Sequence, residues 1–218
     1  ATNPMEGVSG NLGHMALRGH SEEAVALALS FDLICRISEV LQIETEKVVL
    51  PGQHILEESE ELTILWEGSN SMKNGKKGIP VIDKRLEAWL TEAVKQARGS
   101  NQAKIFRTTA ASVRSKFKDA LQELGLERYG YVVHSVRAGG TVHCHLISKW
   151  SLESTRHRGG WKSTDQIDTY LQIAKFHRNA NSFPRHITDK FEDEEKTMSA
   201  LLVLAQSTLD RGVGRTKN

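Results

Sequence analysis

The stretch DKRLEAWLTEAVKQAR, Asp83 to Arg98, decides the fold class. Its apolar positions Leu86, Leu90, Ala93, Val94 and Ala97 recur every three or four residues, which gathers them on one face of a helix. Downstream the same period returns. Val113, Phe117, Leu121 and Leu124 point inward from a helix expected over Thr108–Leu124, with Gly125 closing it. Further helices are expected over Ser135–Trp150, Leu152–His157 and Thr164–Ile173. Upstream lie three short strand candidates, Lys47–Leu50, Leu62–Trp66 and Gly78–Ile82. The polar, glycine-bearing run Ser-Asn-Ser-Met-Lys-Asn-Gly makes the last two a hairpin. Before them, Ser21 with Glu22 and Glu23 opens a helix that continues through Ala24 to Ile34, and a short one follows across Ile37, Val40 and Leu41. The fold class is therefore α+β and mainly α, with a small three-stranded antiparallel sheet.

Composition bounds the partners. The 218 residues include 26% charged and 39% hydrophobic side chains, ordinary values for a globular chain. No apolar run approaches the ~20 residues of a membrane span, so no membrane contact is expected. Two cysteines, Cys35 and Cys144, are too few for a disulfide framework and read as reduced, buried thiols of an intracellular protein. The net charge is only +2, yet residues 100 to 188 carry fourteen Lys/Arg against six Asp/Glu, and six of the nine histidines. A cationic block in a nearly neutral chain suits a surface that faces a polyanion. The acidic cluster Glu57, Glu58, Glu60 and Glu61 reads as solvated surface. His143 and His145 sit two apart, a spacing that diverges by ~200° on a helix, so no metal site is expected there.

Four separated patches could carry chemistry: Cys-Arg-Ile-Ser-Glu at 35–39; Lys73 in the hairpin loop; His-Ser-Val-Arg at 134–137; and Gly-Gly-Trp at 159–161, followed nine residues later by Tyr170. Taken one at a time, each has a plain structural reading. In this order and spacing they resemble the tyrosine recombinase (integrase) family, whose pattern is Arg, Lys, His-x-x-Arg, His or Trp, and Tyr. The C-terminal motifs are Cre-like. The resemblance runs from about Ser21 to about Ile173. It implies a catalytic domain over residues 21–178, preceded by a flexible segment or linker at 1–20. A C-terminal loop and amphipathic helix at 179–218, with Met198, Leu201, Leu202, Leu204, Ala205 and Leu209 on its stripe, would be exchanged between protomers that self-associate on DNA. It also implies an N-terminal helical domain closing a clamp on DNA, for which this chain has no room; a truncated piece is the expectation.

The resemblance assigns roles that the residue types can perform. Arg36 and Arg137 would clamp the non-bridging oxygens of the scissile phosphate, because forked guanidinium donors remain charged at any working pH. His134 would donate a further hydrogen bond or help move a proton. Trp161 would bind the phosphate through its indole N–H and pack the nucleophile's helix. Tyr170 would attack phosphorus, giving a 3′-phosphotyrosyl bond. Lys73, with Lys76 and Lys77 as rivals, would protonate the departing 5′ oxygen, and Glu39 would orient Arg36. Arg158 and Lys162, with Lys76 and Lys77, are expected on the DNA surface. The partner is double-stranded DNA. Transesterification needs no ATP and no metal, and no cofactor is expected. The place of action would be intracellular and DNA-associated, in nucleus or nucleoid. Two alternatives remain, a type IB topoisomerase-like enzyme and a domesticated, non-catalytic DNA-binding domain. Topoisomerases usually carry Lys where His134 stands, and a domesticated domain would be expected to have lost one of these residues.

Overall fold

A helix whose residues are apolar nearly all round must be buried from several sides, and the helix α1 (Ser21–Asp32) is such an element, with Ala24, Val25, Ala26, Leu27, Leu29 and Phe31 all buried. The computed structural model describes residues 15–16, 18–53, 61–65 and 78–171, and in them α1 is the hub. Around it lie α2 (Ile37–Val40), α3 (Lys84–Gly99), α4 (Ala110–Glu123) and α5 (Val133–Val142). A single π turn, His143–Ile147, continues α5, and α6 (Leu152–Gly159) and α7 (165–171) follow. Strands β1 (Val48–Val49), β2 (Thr63–Ile64) and β3 (Ile79–Pro80) form an antiparallel sheet in the order β1-β2-β3. Val48 faces Ile64, and Thr63 faces Pro80.

The expected class holds, and the differences are local. Each strand pairs over two residues only. Pro80 lies on an edge strand, where its missing N–H costs no ladder bond. The helix expected over Ser135–Trp150 begins two residues earlier, where the Ser135 hydroxyl accepts from the Val132 N–H at 3.1 Å. It leaves α geometry at His143. The rings of His143 and His145 still part: His143 faces Phe31, with centroids 5.6 Å apart, while His145 Nδ1 meets the Trp150 carbonyl at 2.8 Å. Residue 17 and the segments 1–14, 54–60, 66–77 and 172–218, and with them Lys73, Lys76, Lys77 and the expected C-terminal amphipathic helix, lie outside the described residues.

The acids in the first turn of α1 have a specific task. Glu22 accepts the backbone N–H groups of Arg107 and Thr108, and Glu23 accepts the Thr108 and Ser112 hydroxyls at 2.7 and 2.8 Å. These bonds fix the entry to α4 against α1. On its other side, α1 takes α5 at very short range through Gly140. A β-carbon there would stand 2.2 Å from the Phe31 carbonyl oxygen, so only glycine lets the two backbones approach so closely.

The apolar interior has two parts. The larger joins α1 to α4, the sheet and the start of α5. The smaller consists of Ile34, Val142, Cys144, Trp161, Ile167 and Leu171, with Tyr170 half-buried at its edge. Within it, burial pushes the Cys144 thiol up to about 11, which keeps it protonated and unreactive. Ile34 enters this smaller cluster from the turn after α1, and that turn positions the site.

Candidate active site

Helix α1 ends in a Schellman motif. The Cys35 N–H reaches the Ser30 carbonyl at 3.1 Å, the Ile34 N–H reaches the Phe31 carbonyl at 3.2 Å, and the Ser30 hydroxyl donates to the Cys35 carbonyl at 2.7 Å. The left-handed position that usually takes glycine is occupied by Ile34, at φ 51° and fully buried. A β-branched residue there stores strain of roughly 1–3 kcal/mol. The surrounding hydrogen bonds and the second apolar cluster hold it. Its consequence is to turn the chain sharply, so that Arg36 leaves the core at the head of α2.

Arg36 is then gripped twice by one carboxylate. Glu39 accepts the Arg36 backbone N–H at 2.8 Å and its Nη1 at 3.0 Å. The Glu39 side chain is only 6% exposed and that of Arg36 is 57% exposed, so the carboxylate is fixed while the guanidinium faces outward.

Helix α5 supplies the next two residues. His134, in its first turn, is exposed, and its Nε2 lies 3.1 Å from the Tyr170 hydroxyl. Arg137, one turn further on, is 4% exposed. It donates from Nη2 to the Gly159 carbonyl at 2.8 Å, and its guanidinium carbon stands 4.8 Å from the centre of the Trp161 ring. Its Nε is buried and has no hydrogen-bond partner among the described residues. An unmet donor on a buried cation is costly.

Trp161 reaches this place because Gly159 lacks a side chain: a β-carbon on Gly159 would fall 1.9 Å from the indole ring. Gly160, at φ 66°, then turns the chain out of α6. The Trp161 ring is wedged between Arg137 and Tyr170, whose ring centroid lies 5.6 Å away at an interplanar angle of 46°. Arg156 braces the turn beyond it, donating to the Trp161 carbonyl at 2.8 Å. Tyr170 itself sits on α7, half-buried.

The electrostatics follow from this crowding. Although His134 is exposed as a residue, partial desolvation of its ring pushes the imidazole below its usual value, and the charges of Arg137 and Arg36 push the same way. Burial also lowers Arg137, as does Arg36, against the opposing pull of Glu39, Tyr170 and Cys35. Guanidinium pKa values start so high that Arg137 stays charged regardless. His134 is therefore mainly neutral at pH 7, and the tautomer that carries its proton on Nδ1 leaves Nε2 able to accept from the Tyr170 hydroxyl 3.1 Å away.

Thus Arg36, Glu39, His134, Arg137, Trp161 and Tyr170, spread over 135 positions of sequence, are brought close together: Glu39 holds Arg36, both lie near enough for their charges to act on Arg137, and Arg137, Trp161, Tyr170 and His134 follow one another in contact. Lys162 is exposed next to Trp161. Lys73, Lys76 and Lys77 lie outside the described residues. Arg158 requires a correction. It was expected on a DNA-facing surface, but it is 6% exposed, with Nη2 donating to Asp32 at 2.9 Å and Nε to the Asp32 carbonyl at 2.7 Å. Its side chain turns inward because a carboxylate and an uncapped helix carbonyl await it there. The motif reading passed over Ile34 and Asp32 and gave Gly159, though part of the Gly-Gly-Trp patch, no role of its own. The first two carry no local signal, whereas a Gly-Gly pair directly before a tryptophan does hint at a close approach.

Compared with protein-family models, with curated proteins and with solved structures, the chain matches none. The described helices include none long and apolar enough to cross a membrane.

Proposed function

We propose that this chain cuts and rejoins double-stranded DNA through a covalent bond between Tyr170 and a 3′ phosphate, as its motif resemblance to tyrosine recombinases implies. The observation that carries the reading is the 3.1 Å contact between His134 Nε2 and the Tyr170 hydroxyl, beside a buried Arg137 whose Nε lacks a partner among the described residues. A tyrosine serving only as packing needs neither neighbour.

The residues divide the chemistry as follows. Neutral His134 takes the phenolic proton as Tyr170 Oη attacks phosphorus. The bond from phosphorus to the 5′ oxygen breaks, and that oxygen leaves with a proton supplied by a general acid, for which Lys73 is the candidate. Arg36 and Arg137 bear the charge that gathers on the non-bridging oxygens, and they bind it more strongly in the transition state than in the ground state. One phosphodiester is exchanged for another, so attack by the free 5′ hydroxyl of a second strand reverses the step and rejoins DNA.

A duplex with a nick just beyond the cleavage site tests this, since loss of the short fragment traps the intermediate. The wild-type chain should accumulate a covalent adduct, and Tyr170→Phe should form none while still binding DNA. An adduct in the Phe variant, or linkage to a 5′ phosphate, would sink the reading.

A further inference from the structure

The buried pair between Asp32 and Arg158 belongs neither to the catalytic motif nor to a DNA surface, yet it joins the two halves of the site. Asp32 ends α1, four residues before Arg36. Arg158 stands directly before Gly159, whose carbonyl holds Arg137 at 2.8 Å, and three residues before Trp161. The side chains of the pair are 10% and 5% exposed. Arg158 uses two faces of its guanidinium on one residue: Nη2 meets the Asp32 carboxylate at 2.9 Å and Nε meets the Asp32 main-chain carbonyl at 2.7 Å. It therefore caps the last turn of α1 with a cation, where the helix leaves carbonyls unpaired. The same carboxylate accepts the backbone N–H groups of Ile82 and Asp83, both at 3.2 Å, which ties down the chain between β3 and α3. Trp150 covers the guanidinium from the other side, with its ring centre 5.5 Å away.

Buried ion pairs contribute little net stability, because desolvation offsets the attraction, and an apolar pair of similar size often folds as well. What such a pair can supply is a fixed relative placement. We propose that Asp32 and Arg158 are positioning residues for the phosphate clamp: they hold the Arg36 turn and the Gly159–Trp161 turn at one separation, so that Arg36 and Arg137 reach the same phosphate. This inference rests on the DNA-cleavage reading above. It adds that clamp geometry is set from behind, by residues that touch neither phosphate nor tyrosine.

The test replaces both members together, Asp32→Leu with Arg158→Leu, and also makes Arg158→Lys, which keeps the charge but cannot span carboxylate and carbonyl at once. Three quantities are measured in each: thermal melting, affinity for duplex DNA, and single-turnover formation of the covalent adduct on the nicked substrate. The 15Nε–1Hε signal of Arg137, shifted by the Trp161 ring, reports the clamp without needing activity. For the folded variants the expected result is unchanged DNA affinity, an adduct rate lower by between about tenfold and a hundredfold, and a displaced Arg137 signal. If the Leu pair does not fold, Arg158→Lys carries the same expectation. A wild-type adduct rate in a folded variant overturns the proposal, as does a reduced rate with the Arg137 signal unmoved. Absence of any adduct from the wild-type chain instead overturns the DNA-cleavage reading, and the positioning role with it.

Discussion

Replacing Gly159 by alanine puts a methyl group where the Trp161 ring lies. The new carbon would stand 1.9 Å from Cζ3, 2.3 Å from Cε3 and 2.6 Å from Cη2. Carbon atoms rest at about 3.5–4.0 Å, so the ring must retreat by roughly 1.5–2 Å or the end of α6 must shift. Overpacking of this kind costs about 1–3 kcal/mol, partly offset by the gain of up to about 1 kcal/mol from alanine over glycine in a helix. The net loss of stability is then small, about 0–2 kcal/mol. The effect on the site is larger, because Trp161 separates Arg137 from Tyr170 and Gly159 itself bonds Arg137. A displacement near 1 Å at a reacting centre costs on the order of a hundredfold in rate. Single-turnover adduct formation by Gly159→Ala should therefore fall by about that factor, with the melting curve little changed. Urea unfolding in a Trp161→Ala background supplies the control. Once the ring is gone, the overpacking cost of the methyl group should vanish. An equal stability cost with and without the ring would refute the steric argument, as would a wild-type adduct rate in Gly159→Ala.

Other expectations follow from the same contacts. Because burial and two arginines hold His134 below its usual value, the neutral base is lost only as pH falls beneath about 6.5. Adduct formation should then show an acid limb with an apparent pKa under that value, and His134→Gln should lower the rate and abolish the limb; an unchanged limb in the variant would assign it elsewhere. Gly140→Ala would press a methyl group to 2.2 Å from the Phe31 carbonyl oxygen. Since backbone must move, the cost of about 1–3 kcal/mol should exceed the helix-propensity gain of about 1 kcal/mol, and urea denaturation should show a lower midpoint. DNA affinity should fall steeply with salt if the cationic block between residues 100 and 188 meets phosphates; a flat dependence measured by fluorescence anisotropy would remove that block from the interface.

The elements that sequence made legible are those whose pattern is local. Leu86, Leu90, Val94 and Ala97 are buried along α3 as their spacing requires, and Val113, Phe117 and Leu121 along α4. Arg36, His134, Arg137, Trp161 and Tyr170 could be singled out in the sequence because their order resembles that of a known motif. Three features were not legible, each for a physical reason. Arg158 reads as one more surface cation until Asp32, 126 positions earlier, is brought against it. Ile34 carries no sign of a left-handed backbone, since the strain at that turn is held by contacts from Val142, Trp161 and Ile167 across the fold. The π turn at His143–Ile147 (His-Cys-His-Leu-Ile) follows α5 without a glycine, proline or other breaker, so its change of winding leaves no local mark in the sequence.

The central claim is that the Tyr170 hydroxyl becomes the covalent link to DNA. The adduct trapped on the nicked duplex should be digested with protease and nuclease and its nucleotide-bearing peptide sequenced by mass spectrometry. The account predicts a peptide spanning Ile167 to Leu171 with the nucleotide joined through its 3′ phosphate to Tyr170. A nucleotide carried on another residue, or joined through a 5′ phosphate, would contradict it.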